Sequence, residues 1–196
     1  VEGPLEQLLR GAPLLGLSWT YRLDAVTASD AAARAPGRLG VLVDQSDDAP
    51  QPPPPGTPVL RALDENEGEL LILGNPGSGK TTVLLQLARA LVTRAERDPT
   101  QPVPVVLSLA SWKGPSQDLE AWIVEEMQSK YYVPPRIGRA WIAEQRLALL
   151  LDGLDEVAES LRPECVQAAN RFLRDSSVPG IAVCSRLEEY LALPHR

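Results

Sequence analysis

The sequence predicts an α/β fold, a mostly parallel sheet with helices against it. Three stretches carry that expectation. Residues 69–73, Glu-Leu-Leu-Ile-Leu, form a short apolar run, then a glycine-rich turn, then residues 83–92 with a wide apolar helical face. Residues 147–151, Leu-Ala-Leu-Leu-Leu, form the continuous apolar run of a parallel strand buried on both faces. Residues 180–184, Gly-Ile-Ala-Val-Cys, give a further buried strand.

Taken in order, the chain begins less regularly. Residues 4–17 hold Leu5, Leu8 and Leu9, interrupted by Gly11 and Pro13, and read as a short helix and a turn. Residues 19–26 have the aromatic and β-branched content of a strand. Residues 31–35 are alanine-rich and suit a helical turn, and residues 39–43 form a second short strand. Trp19 and Tyr21 either pack in a small subdomain or meet a purine ring.

Residues 44–58 change character, with Asp47-Asp48 and four consecutive prolines from Pro52 to Pro55. Such a run favours extended polyproline II and cannot enter a sheet interior. It reads as a semi-rigid linker, or as a ligand for a proline-binding domain. It divides residues 1–58, an N-terminal extension, from residues 59–196, the core. Residues 59–67 lead into the core as a short helix.

The turn after residue 73 is Gly74-Asn75-Pro76-Gly77-Ser78-Gly79-Lys80-Thr81-Thr82, which fits the phosphate-binding pattern G-x-x-x-x-G-K-[ST]. Strand, glycine loop and helix together make that pattern specific. Main-chain N–H groups can surround a polyphosphate only where the backbone curls tightly, and Gly77 and Gly79 permit this. The loop ends at a helix N-terminus, where unpaired N–H groups and the helix dipole favour an anion. Lys80 supplies a point charge for the β- and γ-phosphates, Thr81 a hydroxyl for Mg²⁺, and Thr82 a candidate α-phosphate contact.

Beyond the first core helix, residues 103–109 read as a buried strand with Pro104 near its start. Residues 118–127 form an amphipathic helix with Asp118 as N-cap and Trp122, Ile123 and Met127 inward. Residues 137–145 form another helix.

The strand at 147–151 ends in Asp152-Gly153-Leu154-Asp155-Glu156. Carboxyl ends of parallel strands are where doubly wound sheets bind ligands. Asp152 is the candidate metal ligand. Glu156, with Asp155 as second choice, is the candidate to orient the attacking water. Alone, the stretch would also suit a solvated acidic turn. Residues 166–173 read as a helix. The strand at 180–184 runs into Ser185-Arg186, and Arg186 is a candidate to sense the γ-phosphate. Residues 187–193 begin a helix. His195 carries no assigned role.

Composition narrows the function. The chain has 196 residues, a net charge of -7 and two cysteines. The acidic balance argues against broad nucleic-acid binding by this segment. Cys165 and Cys184 are too few for a disulfide framework, and Cys184 reads as a small core residue. A reducing, cytoplasmic setting is expected. No apolar run reaches the roughly 18 residues of a membrane span, and no signal peptide is present. The first residue is Val1 rather than Met, as in a piece of a longer protein.

With these sites in hand, the chain resembles the NACHT family of signal-transduction NTPases, in the STAND branch close to AAA+ proteins. The resemblance covers residues 59–196 and rests on the loop at 74–82, on Leu149-Leu150-Leu151-Asp152-Gly153-Leu154-Asp155-Glu156, and on Cys184-Ser185-Arg186-Leu187-Glu188-Glu189-Tyr190. A small residue after the Walker B aspartate, then a second acidic pair, distinguishes the family; here these are Gly153 and Asp155-Glu156. Ser185-Arg186 looks like sensor 1.

The resemblance implies a three-layer α/β/α P-loop NTPase with a five-stranded sheet of order 5-1-4-3-2. It implies an ATP- and ADP-binding, Mg²⁺-dependent switch that hydrolyses slowly and controls self-association of the full-length protein. Bacterial relatives act in defence against phage, and the Ala-, Pro- and Arg-rich composition suggests a bacterial source. The resemblance implies a lid and a winged-helix part after sensor 1, and residues 59–196 are expected to hold the core without them. A faster AAA+ remodelling ATPase and a non-hydrolysing scaffold module are the rival readings. No N-K-x-D guanine motif and no L-S-G-G-Q signature occurs.

Overall fold

Alternation with period two sets the layers. In residues 147–151, Leu147, Leu149 and Leu151 face one side of the sheet and Ala148 and Leu150 the other, and all five are buried. This run is strand β5 (Leu147–Asp152). The computed structural model describes residues 19–21, 40–44, 58–176 and 178–193. The expected helix within 4–17, the helical turn at 31–35, the later part of the strand at 19–26 and the prolines of the linker lie outside the described residues.

The other strands are β1 (Trp19–Tyr21), β2 (Gly40–Asp44), β3 (Glu69–Gly74), β4 (Val103–Ser108) and β6 (Gly180–Arg186). Among the described residues they form one sheet in the order β1-β2-β3-β6-β5-β4. All neighbours are parallel except β1 against β2.

Helices cover both faces. Helix α1 (Pro58–Glu65) and helix α2 (Lys80–Arg97) bury Val59, Leu63, Leu84, Leu87 and Leu91 against Leu70, Ile72, Ala148, Leu150, Ala182 and Cys184. Small residues at 148 and 182 let α2 lie close to the sheet. Arg94 of α2 forks onto Asp64 of α1 at 2.8 and 2.6 Å, which joins the two helices at the surface.

On the opposite face lie α3 (Leu119–Tyr131), α4 (Pro135–Ala143) and α5 (Arg162–Ser176), with a short α6 (Leu187–Leu191) after β6. Asp118 caps α3, its carboxylate accepting the Ala121 N–H at 3.3 Å. Trp122 and Ile123 sit in the core, and the Trp122 indole N–H donates to Ser111 Oγ at 3.0 Å. Burying a side chain such as Leu149 or Ile123 contributes about 1.5–3 kcal/mol. Neither burial depends on function.

Two expectations need correction. Strands β3-β6-β5-β4 reproduce the 1-4-3-2 part of the expected order, but β2 takes the place beside β3. Residues 40–43 pair with 70–73, so a strand that precedes the glycine loop satisfies the backbone of β3 on that edge. The sheet therefore has five parallel strands and an antiparallel sixth.

The second correction concerns β4. It was expected as a buried strand, yet Val103 is exposed and Pro104, Val106 and Ser108 are half-buried. It lies at the sheet edge, with one strand neighbour. Its outer edge is covered by a side chain. The Tyr131 hydroxyl donates to Val106 O at 2.9 Å and accepts the Val106 N–H at 3.1 Å. Both main-chain groups of one edge residue are thereby paired.

Candidate functional site

The carboxyl ends of three strands meet at one edge. Gly74, which ends β3, is the register partner of Arg186, which ends β6. Asp152 ends β5 one residue beyond the Leu151–Val183 pair. This is where the crossover geometry of a parallel sheet leaves space for a ligand.

The loop from 75 to 79 joins β3 to α2. Gly77 and Gly79 have φ of 79° and 85°, the left-handed region that a side chain resists. A Cβ built on Gly77 would meet nothing within 4 Å, so the loop is open outward there. The Ser78 N–H donates to Asn75 O at 3.1 Å, and the Val83 N–H donates to Gly79 O at 3.0 Å as α2 begins. Asn75 and Pro76 are exposed, and Thr82 is half-buried in the first turn of α2. Ser78 Oγ is buried without a hydrogen-bond partner among the described residues.

Lys80 folds back over its own loop. Its ammonium donates to Gly74 O and Asn75 O, each at 3.1 Å. Beside it, the Thr81 hydroxyl donates to Asp152 Oδ2 at 2.8 Å. A hydroxyl and a carboxylate this close are two hard oxygens at one point. Beneath them the Cys184 thiol points at Lys80 O, 3.8 Å away. Burial first, then the adjacent Asp152 carboxylate, push that thiol well above its ordinary pKa.

The turn after β5 is tight. Gly153 adopts φ 77°, and residues 154–156 form a single 3-10 turn. A Cβ on Gly153 would lie 2.9 Å from the Glu156 carboxyl carbon, so that carboxylate folds over the glycine. Glu156 itself is exposed. Asp155 is not; its side chain is 8% exposed and both its oxygens are engaged by Arg186. Oδ1 accepts the Arg186 main-chain N–H at 3.1 Å, and Oδ2 meets the guanidinium Nε at 2.9 Å. Glu189 approaches the same guanidinium at 3.4 Å.

The structure thus brings Lys80, Thr81 and Asp152 together, and separately joins Asp155 to Arg186. Sequence reasoning missed Arg162. It heads α5, four residues before the helix was expected to start, and it binds the main chain of the acidic turn. Pro163 carried a usable signal, because proline is favoured in a first helical turn.

The donor set fits a magnesium–nucleotide. Ser78 Oγ is an orphaned buried donor, and the loop offers glycine-permitted backbone curvature. No cluster of three metal-binding side chains occurs among the described residues. A site with one hydroxyl and one carboxylate suits Mg²⁺, which keeps waters and phosphate oxygens as its other ligands. A concavity of about 240 Å³ at the opposite ends of the strands includes Leu63, Arg94, Gln101 and Gly180. Its Arg94 is already paired by Asp64, and Glu67 also lines it. No helix among the described residues is long and apolar enough to cross a membrane.

The NACHT domain family model matches residues 69–182, more than half of the chain. Comparisons with curated proteins and with solved structures gave no match. From β3 and its glycine loop through the acidic end of β5 to the body of β6, this chain belongs to the NACHT family, whose domains are nucleotide-binding modules of the P-loop NTPase type.

Proposed function

We propose that this chain binds ATP with Mg²⁺ and hydrolyses it slowly, as the nucleotide switch of a signal-transduction protein that self-associates when intact. The observation that carries this reading is the 2.8 Å contact between Thr81 and Asp152 beside the Lys80 ammonium.

Lys80 leaves Gly74 O and Asn75 O and turns its ammonium to the β- and γ-phosphates. Loop amides from 75 to 80 surround the same oxygens, and Ser78 Oγ gains a partner. Thr81 and Asp152 would hold Mg²⁺, which would supply positive charge to offset that of the phosphates. Thr82 contacts the α-phosphate. Glu156, exposed and without an ion pair among the described residues, orients the attacking water. Asp155 is the weaker candidate for that task, because Arg186 occupies both its oxygens. Arg186 faces the γ-phosphate from the neighbouring strand end. The cytoplasmic setting rests on the sparse cysteines, the bacterial source on the Ala-, Pro- and Arg-rich composition, and the phage-defence role on the family resemblance; nucleic acid is not a partner of this segment in this reading.

The test is to denature the purified intact protein and identify the nucleotide released. An adenine nucleotide is expected, with steady turnover well below the roughly 1–100 per second of kinases. A guanine nucleotide or none would contradict the reading. Fast steady turnover would favour a remodelling ATPase.

A further inference from the structure

We propose that Arg162 is a positioning residue for the γ-phosphate side of this site, acting through the turn that carries Asp155 and Glu156; the inference rests on the nucleotide reading above. Leu154 and Val157 anchor the turn in the core, but its main chain makes few hydrogen bonds of its own. Residues 154–156 make one 3-10 turn, with the Glu156 N–H on Gly153 O at 3.0 Å and the Val157 N–H on Leu154 O at 3.3 Å. Such turns are weak because their hydrogen bonds are bent.

Arg162 adds a constraint on that main chain. Its Nε donates to Val157 O at 2.9 Å and its Nη2 donates to Asp155 O at 2.7 Å. Those two carbonyls flank Glu156. One planar fork therefore fixes the 155–156 peptide, directly before the candidate water-orienting residue, and the 157–158 peptide, one residue beyond it. The same turn aims the Asp155 carboxylate at the Arg186 N–H and guanidinium. The chain of contacts runs from the head of α5, through the turn, to the end of β6. At its far end it meets Gly74, the register partner of Arg186, while α2 and β3 carry the rest of the glycine loop.

A lysine cannot replace the fork. Its ammonium is a point donor on a flexible stem and cannot keep two carbonyls at fixed spacing. The structure gives Arg162 no carboxylate partner in these bonds, so its role here is geometric rather than charge neutralisation.

The test compares Arg162→Lys and Arg162→Gln with the parent in the intact protein. ADP affinity, ATP affinity, kcat and Tm are measured with Mg²⁺ present. ADP affinity is expected to stay within about twofold, while kcat falls about tenfold, the loss of roughly one well-made charged hydrogen bond. In a Glu156→Gln background the further change from Arg162→Lys should be small, since both substitutions act on one unit. Equal kcat in Arg162→Lys and parent would overturn the proposal. So would a parallel fall of ADP affinity, kcat and Tm, which would mark a merely structural arginine, or full additivity with Glu156→Gln. A parent that binds no nucleotide would overturn the nucleotide reading as well, which separates the two failures.

Discussion

The Thr81 hydroxyl donates to Asp152 Oδ2 at 2.8 Å, joining the first turn of α2 to the end of β5 across 71 residues of sequence. Sheet register makes the meeting possible. Parallel pairing of β3 with β6 and of β6 with β5 brings their carboxyl ends to one edge. The glycine loop then turns the helix back over that edge.

Asp152→Asn keeps the shape of the side chain and removes its charge. Mg²⁺ should strengthen ATP binding in the parent, and that enhancement should fall about tenfold or more in the variant, as loss of a charged partner costs about 1.5–3 kcal/mol. Titration calorimetry with and without Mg²⁺ checks it. An unchanged Mg²⁺ dependence would remove Asp152 from the metal site.

Gly153→Ala should cost stability and activity together. The position has φ 77°, and its new methyl would lie 2.9 Å from the Glu156 carboxyl carbon. A left-handed alanine costs about 1–2 kcal/mol before that collision is relieved. Urea unfolding and a hydrolysis assay read the two effects. A variant as stable and active as the parent would show that the turn is not held as described.

Tyr131→Phe removes one hydroxyl from the edge of β4. The Val106 N–H and carbonyl both lose their partner and turn to solvent. A loss of about 0.5–1.5 kcal/mol is expected, with faster hydrogen exchange at Val106. Nucleotide affinity should not change, since no loop residue is involved.

Stability should decline in alkali. Burial pushes the Cys165 thiol from 9.0 up to about 12. A raised pKa in the folded state means that the folded chain holds its proton while the unfolded chain releases it. The contribution is therefore full below 9.0 and is lost as pH climbs towards about 12. Burial likewise raises the Tyr131 phenol and keeps it a donor to Val106 above its ordinary value. Cys165→Ala should flatten the alkaline limb of a Tm-against-pH curve. An identical slope in variant and parent would contradict the assignment.

Much of this was legible because it is local. The loop at 74–82 is one uninterrupted string, and Asp152 follows directly on a five-residue apolar run. The α2 face and the core place of Trp122 follow from helical spacing and side-chain size. What escaped was relational. Nothing in Val103, Val105 and Val106 themselves distinguishes an edge strand from a central one; only the strand order implied by the resemblance puts them at the edge, where they lie. The Tyr131 cap spans 25 residues and depends on where α3 ends. The place of β2 beside β3 was hidden for the same reason. A short strand candidate at 39–43 carries its period but not its partner. The sequence reading puts Glu156 ahead of Asp155 for the water, and the pairing of Asp155 with Arg186 is what distinguishes the two in space.

Equilibrium binding of Mg²⁺–ATP to Lys80→Ala tests the central claim most directly. The Lys80 ammonium donates to Gly74 O and Asn75 O at 3.1 Å and faces no carboxylate in these bonds, so its removal should leave the fold standing. ATP affinity is expected to fall about tenfold or more, the worth of a charge-assisted phosphate contact. A folded Lys80→Ala protein that binds Mg²⁺–ATP as tightly as the parent would contradict the account.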